Sequence, residues 1–492
     1  MPDQTNSGGA NGHEAADANK QGSDQRGLRF AASILETIGN TPLVRLNKLT
    51  RGLKRDGREP LVLAKVESFN PGGSVKDRIG RHIVERAEQS GALKPGGTIV
   101  EATSGNTGLG LAMSAAVKGY RCVCVMPDKM SQEKRDLLKA YGARVVICPT
   151  NVPPDSPESN YETAKRIARE TPGGFLANQY FNPHNPETHY LTTGPELWEQ
   201  TGGRITHFVA SMGTGGTISG TGRYLKEMNP SVQVIGADPV GSILAEYFRT
   251  KTMAEAKSYL VEGIGEDIIP GSTHFEYIDD VITIGDRESF RYTRRLSREE
   301  GILCGGSAGT AVAAALQVAS RADRDAVIVV ILPDTGERYL SKAHNDTWLR
   351  DNGMLEPEDL RVSDFLYKKV SEIPTLLTLG RDEPLRRALA LVREHNVSQI
   401  PVMDSQGNCV GTVLESTLMS SLIDGRARLE DPIWGMMEAA LPLVGAEEPL
   451  SNAVGFLSAG TSAVLVEDRG ADEGNRLVGI LSRFDLIEFV AK

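Results

Sequence analysis

The strongest constraint on this chain is an alternation. Between about Ile34 and Gly353, short β-branched runs trade places with amphipathic stretches. Leu61–Val66, Thr98–Glu101, Arg121–Met126, Arg144–Cys148, His207–Ser211, Val232–Ala237 and Ala326–Leu332 read as strands. Gly80–Ser90, Gly108–Lys118, Glu133–Tyr141, Tyr161–Glu170, Thr217–Met228, Arg287–Glu300 and Ala308–Ser320 read as helices. Strand alternating with helix predicts an α/β domain built on a mainly parallel sheet. Such sheets are covered on both faces, so their strands are apolar throughout, as in Ala326–Leu332.

Four of the turns in this region are unusually rich in glycine and hydroxyl groups. Ser68–Arg78 reads Ser-Phe-Asn-Pro-Gly-Gly-Ser-Val-Lys-Asp-Arg. Its glycine pair permits a sharp turn, Ser74 reads as a helix N-cap, and Lys76 falls in the first helical turn. There the helix dipole disfavours a protonated amine, which suits a nucleophilic lysine, although a solvated loop lysine has the same local sequence. Glu101–Gly108 (Glu-Ala-Thr-Ser-Gly-Asn-Thr-Gly) opens a helix after a strand and gathers amides and hydroxyls that suit a carboxylate. Ser211–Thr217 (Ser-Met-Gly-Thr-Gly-Gly-Thr) exposes consecutive backbone N–H groups, a cradle for one phosphate. It lacks the lysine of a nucleoside-triphosphate loop and the spacing of a dinucleotide loop. Cys304–Gly309 (Cys-Gly-Gly-Ser-Ala-Gly) also begins a helix.

The C-terminal part repeats itself. Glu383-Pro384-Leu385 leads through a helical stretch to Gln399–Met403 and Gly411–Leu414, and Glu448-Pro449-Leu450 leads to Ala463–Glu467 and Gly479–Ser482. The openings lie 65 residues apart and the closing strands 68, the difference falling in the polar turn Asp468–Arg476. One supersecondary unit used twice can bury its apolar faces against its own copy. The charged, aperiodic segment 354–369 reads as the linker before it, with room for one helix.

Composition excludes several classes. The 492 residues carry 54 basic and 64 acidic side chains, a formal charge of -10 that leaves no basic excess for nucleic acid. No apolar run approaches the roughly 18 residues of a membrane span. The N-terminus lacks the order of a secretory signal, and residues 1–28, rich in Gly, Asn, Asp, Gln and Ser, read as a disordered tail. The expected location is therefore cytoplasmic. Cys122, Cys124, Cys148, Cys304 and Cys409 form no CxxC pair, so neither a disulfide framework nor a metal site is expected, and Cys122 and Cys124 read as small buried hydrophobes.

Taken in order, the four turns resemble those of the fold-type II pyridoxal-phosphate enzymes, in particular the branch of cystathionine β-synthases and cysteine synthases, over about residues 30–350. The C-terminal repeat resembles the tandem βαββα-type regulatory (Bateman) modules of that branch. The resemblance implies a tail at 1–28, a catalytic core at 29–353, a linker at 354–369 and regulatory modules at 370–425 and 426–492. It makes Lys76 the Schiff-base lysine and catalytic residue. It assigns Asn106 to the 3′ oxygen of pyridoxal 5′-phosphate, Gly213, Thr214, Gly215, Gly216 and Thr217 to its phosphate, and Ser307 to its pyridine nitrogen. Thr103, Ser104, Thr107, Gln179, Tyr180, Gly263 and Gly265 become substrate-binding residues.

The implied reaction is condensation of L-serine with L-homocysteine to L-cystathionine and water, with Lys76 as base. A neutral hydroxyl at position 307 favours loss of a β-substituent over transamination. Cysteine synthesis from O-acetylserine or serine with sulfide is the alternative, and a catalytically idle nucleotide-sensing scaffold is an alternative of another class. The C-terminal pair and Glu266-Asp267 favour cystathionine synthesis; intact Lys76 and the phosphate loop disfavour the scaffold. Sulfide or cysteine are further possible substrates, and a homodimer or larger homo-oligomer is expected. Animal relatives bind haem through an N-terminal Cys and His; residues 1–30 hold His13 but no cysteine, so no haem is expected. Paired modules often hold adenosine ligands through a Ser/Thr and an Asp: the second copy has Ser482 and Asp485, the first Leu414 and Thr417, so at most one intact site is expected.

Overall fold

A computed structural model describes residues 22–23, 29–53, 60–103, 105–153, 155–323, 325–355, 360–366, 376–468 and 476–490. The chain divides into two units, Met1–Met354 and Leu355–Lys492.

The first unit contains two sheets. Its strands in chain order are β1 (Gly22–Ser23), β2 (Arg29–Phe30), β3 (Leu43–Arg45), β4 (Leu61–Val66), β5 (Thr98–Ala102), β6 (Arg121–Pro127), β7 (Arg144–Cys148), β8 (Gly174–Leu176), β9 (His207–Ser211), β10 (Gln233–Pro239), β11 (Asp280–Ile284) and β12 (Val327–Leu332). The larger sheet runs β11-β10-β9-β12-β4-β3, and the smaller β7-β6-β5-β8. All neighbours in both are parallel except β3, which lies antiparallel on β4 at the edge. A short antiparallel ladder joins β1 and β2.

The parallel pattern follows from the apolar runs. Ile328, Val329 and Val330 at the centre of β12 are fully buried, as are Cys124, Val125 and Met126 in β6. Residues of Ala308–Leu316 pack on one face of the larger sheet with Val62, Val209 and Val330, while Leu197, Ile218 and Leu225 pack on the other with Phe208 and Val329. Alternate residues of one strand thus enter opposite cores, as the period of two requires. All five cysteines are free, and Cys122 and Cys124 sit in the core of the smaller sheet with sulfurs 3.9 Å apart, as small hydrophobes.

Two helices lie backbone to backbone. Lys76–Gln89 crosses Asn106–Lys118 at a pair of glycines: a Cβ on Gly80 would stand 2.4 Å from the Gly110 carbonyl carbon, and one on Gly110 2.7 Å from the Lys76 carbonyl oxygen. The first of these helices starts at Lys76, in the turn expected of it and ahead of the periodic stretch Gly80–Ser90, but Ser74 is not its N-cap. Val75 occupies its N-cap, and Ser74 Oγ accepts from the Lys76 N–H at 3.2 Å. The preceding turn is held by the chain leaving β12, because the Val75 N–H donates to the Pro333 carbonyl at 2.8 Å.

The second unit contains the repeat. Its first copy runs strand Leu379–Gly380, helix Leu385–His395, strands Gln399–Met403 and Cys409–Leu414, helix Glu415–Ile423. The second runs Leu443–Gly445, Leu450–Ser458, Ala463–Asp468, Arg476–Ser482 and Arg483–Val490 in the same order. In each, the first strand pairs parallel and the hairpin antiparallel, with a register shift at Val402/Met403 in one and Val466/Glu467 in the other. Part of the segment read as a linker joins the second copy: Val362–Leu366 is helical, Leu360, Val362 and Phe365 are buried, and the Leu450 N–H donates to the Leu360 carbonyl at 2.7 Å.

Candidate active site

In an open parallel sheet, sites form where the chain leaves the carboxyl ends of the strands. Strands β4, β12 and β9 are parallel neighbours, so the turns after them emerge on one side. After β4 comes the turn leading to Lys76, after β9 the Gly213–Thr217 loop, and after β12 Pro333-Asp334. The Thr103–Thr107 turn leaves β5 of the smaller sheet.

These segments meet in a cavity of about 790 Å³. Lys76, Thr103, Asn106, Thr107, Gln179, Tyr180, Gly213, Thr214, Gly215, Thr217, Gly263, Gly265 and Ser307 all line it. Gly216 follows in the same loop without lining the cavity, and Ser104 lies outside the described residues.

The loops are held by specific contacts. Gly215 has φ 81° and opens the helix Gly216–Met228; a Cβ there would stand 1.9 Å from Thr273 Oγ1, so the tight left-handed turn requires glycine. Asn185 Nδ2 donates to Thr214 Oγ1 at 3.0 Å and to the Gln179 carbonyl at 2.8 Å. Thr107 Oγ1 donates to Gln179 Oε1 at 2.6 Å, tying the Thr103–Thr107 turn to the Gln179–Tyr180 segment. Tyr180 meets Tyr161 edge to face, centroids 5.4 Å apart.

The electrostatics single out Lys76. Burial lowers its amine below the ordinary lysine range, while the carboxylates of Asp334 and Glu266 pull in the opposite direction. Burial and the neighbouring Asp267 and Asp238 push the Glu266 carboxyl well up.

Sequence reasoning missed three groups. Asn106 Nδ2 donates to Asp334 Oδ2 at 2.7 Å, Tyr339 Oη donates to the same oxygen at 2.6 Å, and Arg338 donates to Asn106 Oδ1 and to the Gly72 carbonyl. Asp334 thereby orients Asn106; its position directly after the apolar run of β12 was the available signal. His189 is fully buried and touches Thr217 Oγ1 through Nε2 at 3.2 Å and Thr193 Oγ1 through Nδ1 at 2.8 Å. Burial, with the charges of Lys76 and Arg78, holds its imidazole neutral. Two residues after Lys76, Arg78 is clamped by Glu67 and Glu196, and Glu196 also takes Lys65 at 2.8 Å.

The cavity fits pyridoxal phosphate on its own observations. It has a desolvated amine, a glycine loop at a helix N-terminus and a buried hydroxyl at Ser307, all lining one recess. Asp334 Oδ1, also buried there, has no hydrogen-bond partner within the protein.

In the second unit, Ser482 ends a strand and Asp485 lies in the following helical turn, with Ser482 Oγ donating to Asp485 Oδ2 at 2.6 Å. In the first copy, Thr417 Oγ1 instead donates to Glu438 at 2.6 Å. Among the described residues no helix is long and apolar enough to cross a membrane.

Comparison with known proteins agrees with this geometry. Residues 34–334 match the family described as pyridoxal-phosphate dependent enzyme, and residues 370–424 and 433–492 match the CBS domain. The cystathionine beta-synthase of Oryctolagus cuniculus is 41% identical over 476 residues, 94% of this chain and 85% of that protein. That of Dictyostelium discoideum is 38% identical over 94% of this chain and 92% of its own length. A crystal structure of an O-ureido-L-serine synthase superposes with a TM-score of 0.58 at 41% identity, covering 65% of this chain and 99% of that one.

Proposed function

This chain belongs to the pyridoxal-phosphate-dependent enzymes and, with its CBS-domain pair, to the cystathionine β-synthase family, and from that membership we propose that it condenses L-serine with L-homocysteine to L-cystathionine and water. The observation that carries the reading is the convergence of Lys76, the Gly213–Thr217 loop and Ser307 on one cavity.

The residues then take these roles. Gly213, Thr214, Gly215, Gly216 and Thr217 hold the cofactor phosphate at a helix N-terminus, where the dipole favours an anion. Asn106, fixed by Asp334 and Arg338, would hold the 3′ oxygen, and Ser307 would hold the pyridine nitrogen. When bound, pyridoxal phosphate supplies the electron sink that stabilises a carbanion at the substrate α-carbon. Lys76 Nζ would hold the cofactor covalently, and its free amine would be the base that takes the α-proton of serine and later returns it. Burial disfavours its charged form, which is the direction that task requires. Thr103, Ser104 and Thr107 bind the substrate carboxylate, and Gln179, Tyr180, Gly263 and Gly265 complete the substrate site. In the net reaction the β C–O bond breaks, the hydroxyl leaves as water, and the homocysteine sulfur forms the new C–S bond. The C-terminal pair regulates or assembles the enzyme, with Ser482 and Asp485 as its ligand-binding candidates. The reading extends to a homodimer or larger homo-oligomer in the cytoplasm, a reducing compartment that suits five free cysteines.

The test is a comparison of thiols with the purified protein. Serine with homocysteine should be converted to cystathionine with a higher kcat/KM than O-acetylserine with sulfide is converted to cysteine. The opposite order would assign cysteine synthesis instead.

A further inference from the structure

One group of charges on the cavity wall has no part in the roles given above. Glu262 lines the cavity just before Gly263, and Lys342 lines it beyond Tyr339. Lys342 Nζ meets Glu262 Oε1 at 2.5 Å, and Lys134 Nζ meets Glu262 Oε2. Lys134 reaches this point from the helix Gln132–Ala140, passing beneath Gly105, where a Cβ would stand 3.1 Å from its Cδ. Its ammonium also lies over the Tyr339 ring, 4.8 Å from the centroid. The three side chains are unequally open: Lys134 is 4% exposed, Glu262 12% and Lys342 28%.

Two ammonium groups therefore share one carboxylate in a wall of limited solvent access, and Lys342 also acts on the Glu133 carboxylate outside it. The cluster is bipolar, and its most open member is a cation. A guest bearing both an ammonium and a carboxylate on one carbon complements it. The cavity is large enough for such a guest beside others, at about 790 Å³ against roughly 300–1,000 Å³ for pockets that enclose a whole drug-sized ligand.

We propose that Lys342, Glu262 and Lys134 form the subsite for the amino-acid head group of the thiol acceptor, with Lys342 taking its carboxylate and Glu262 its ammonium. The proposal rests on the β-replacement reading and deepens it by naming what selects an amino-acid thiol over sulfide. Sulfide has no head group and gains nothing from the cluster. A charge-assisted hydrogen bond contributes about 1.5–3 kcal/mol, so each half of the head group is worth roughly 10- to 150-fold in kcat/KM.

The experiment compares homocysteine with two truncated thiols, serine being the common first substrate. 3-Aminopropanethiol lacks the carboxylate and 4-mercaptobutanoate lacks the amine. The wild-type holoenzyme should prefer homocysteine to each by about tenfold or more. Lys342→Ala should collapse the preference over 3-aminopropanethiol, Lys342→Arg should restore most of it, and Glu262→Gln should collapse the preference over 4-mercaptobutanoate. Equal use of all three thiols by wild-type enzyme overturns the subsite without needing any variant to fold. So does a Lys342→Ala enzyme that keeps the wild-type ratio. Failure of the underlying reading looks different: wild-type enzyme then uses O-acetylserine with sulfide at a higher kcat/KM than serine with homocysteine.

Discussion

Replacing Arg78 tests the ion network beneath the site. Its guanidinium makes two hydrogen bonds to Glu67, at 2.7 and 2.9 Å, two to Glu196, at 2.7 and 2.8 Å, and one to Thr41 Oγ1 at 3.2 Å. The side chains of Arg78 and Glu67 are 1% and 0% exposed, so Arg78→Met leaves Glu67 as a buried carboxylate without its cation. Breaking a buried pair on one side costs about 3–5 kcal/mol. A second route gives a similar figure. Burial alone would raise Glu196, but hydrogen bonds and charge from Arg78 and Lys65 hold it at about 2, against an ordinary 4.5. That depression, which Arg78 shares with Lys65, corresponds to about 3 kcal/mol as an upper bound on the share of Arg78, present above pH 4.5 and lost as pH falls through about 2. The assay is denaturant unfolding of the holoenzyme, followed by release of the cofactor's absorbance so that the first unit is the one observed. Arg78→Met should lose about 3–5 kcal/mol, and Arg78→Met with Glu67→Gln should recover part of it. A loss under about 1 kcal/mol, the value of an exposed pair, would refute the reasoning, as would a double variant no better than the single one.

Lys76→Ala should remove the visible absorbance of the lysine-bound cofactor and all turnover; wild-type absorbance in the purified variant would displace Lys76 from its role. Burial pushes Glu101 up to about 8, against hydrogen bonds from Gln179 and Asn178 that favour its charged form. Since the folded state holds that proton more tightly than the unfolded one, stability falls as pH rises from about 4.5 to 8, and Glu101→Gln should remove up to roughly 5 kcal/mol of that decline, read as unfolding free energy against pH. Truncation after residue 353 should leave a cofactor-loaded protein that still carries out β-replacement, and calorimetric titration of the full chain with S-adenosylmethionine and adenine nucleotides should show fewer than two equal sites. A folded, loaded truncation without chemistry would place part of the site in the C-terminal unit.

What the sequence disclosed was whatever recurs locally. Strands of a parallel sheet form mostly apolar runs, so Leu61–Val66, Arg144–Cys148 and His207–Ser211 were readable to the residue, even with Lys65 inside the first and Arg144 and Ile147 exposed in the second. The short edge strand β3 and the three-residue β8 carry too few residues for a period, and Asp280 and Thr283 interrupt the apolar pattern of β11 at the sheet edge. The helix His184–Leu191 was hidden by Pro186, which is tolerated in a first turn but reads as a breaker. The cavity-lining turns were legible because backbone-lined sites need glycine. The partners that fix them were not: Arg338 reaches Asn106 across 232 residues, and Arg78 reaches Glu196 across 118. No local spacing encodes contacts of that range.

The glycine crossing at Gly80 and Gly110 gives the site its datum. Lys76 and Asn106 are the first residues of the two helices that touch there. Main chain has no alternative rotamers, so the spacing between the amine and the amide is gauged by the one material in the core that cannot repack. Neighbours such as Ile79 and Leu109 can drift through volume-conserving exchanges while that gauge holds. One methyl at either glycine would offset the lysine from the asparagine, leaving a folded protein whose reacting groups no longer share an origin.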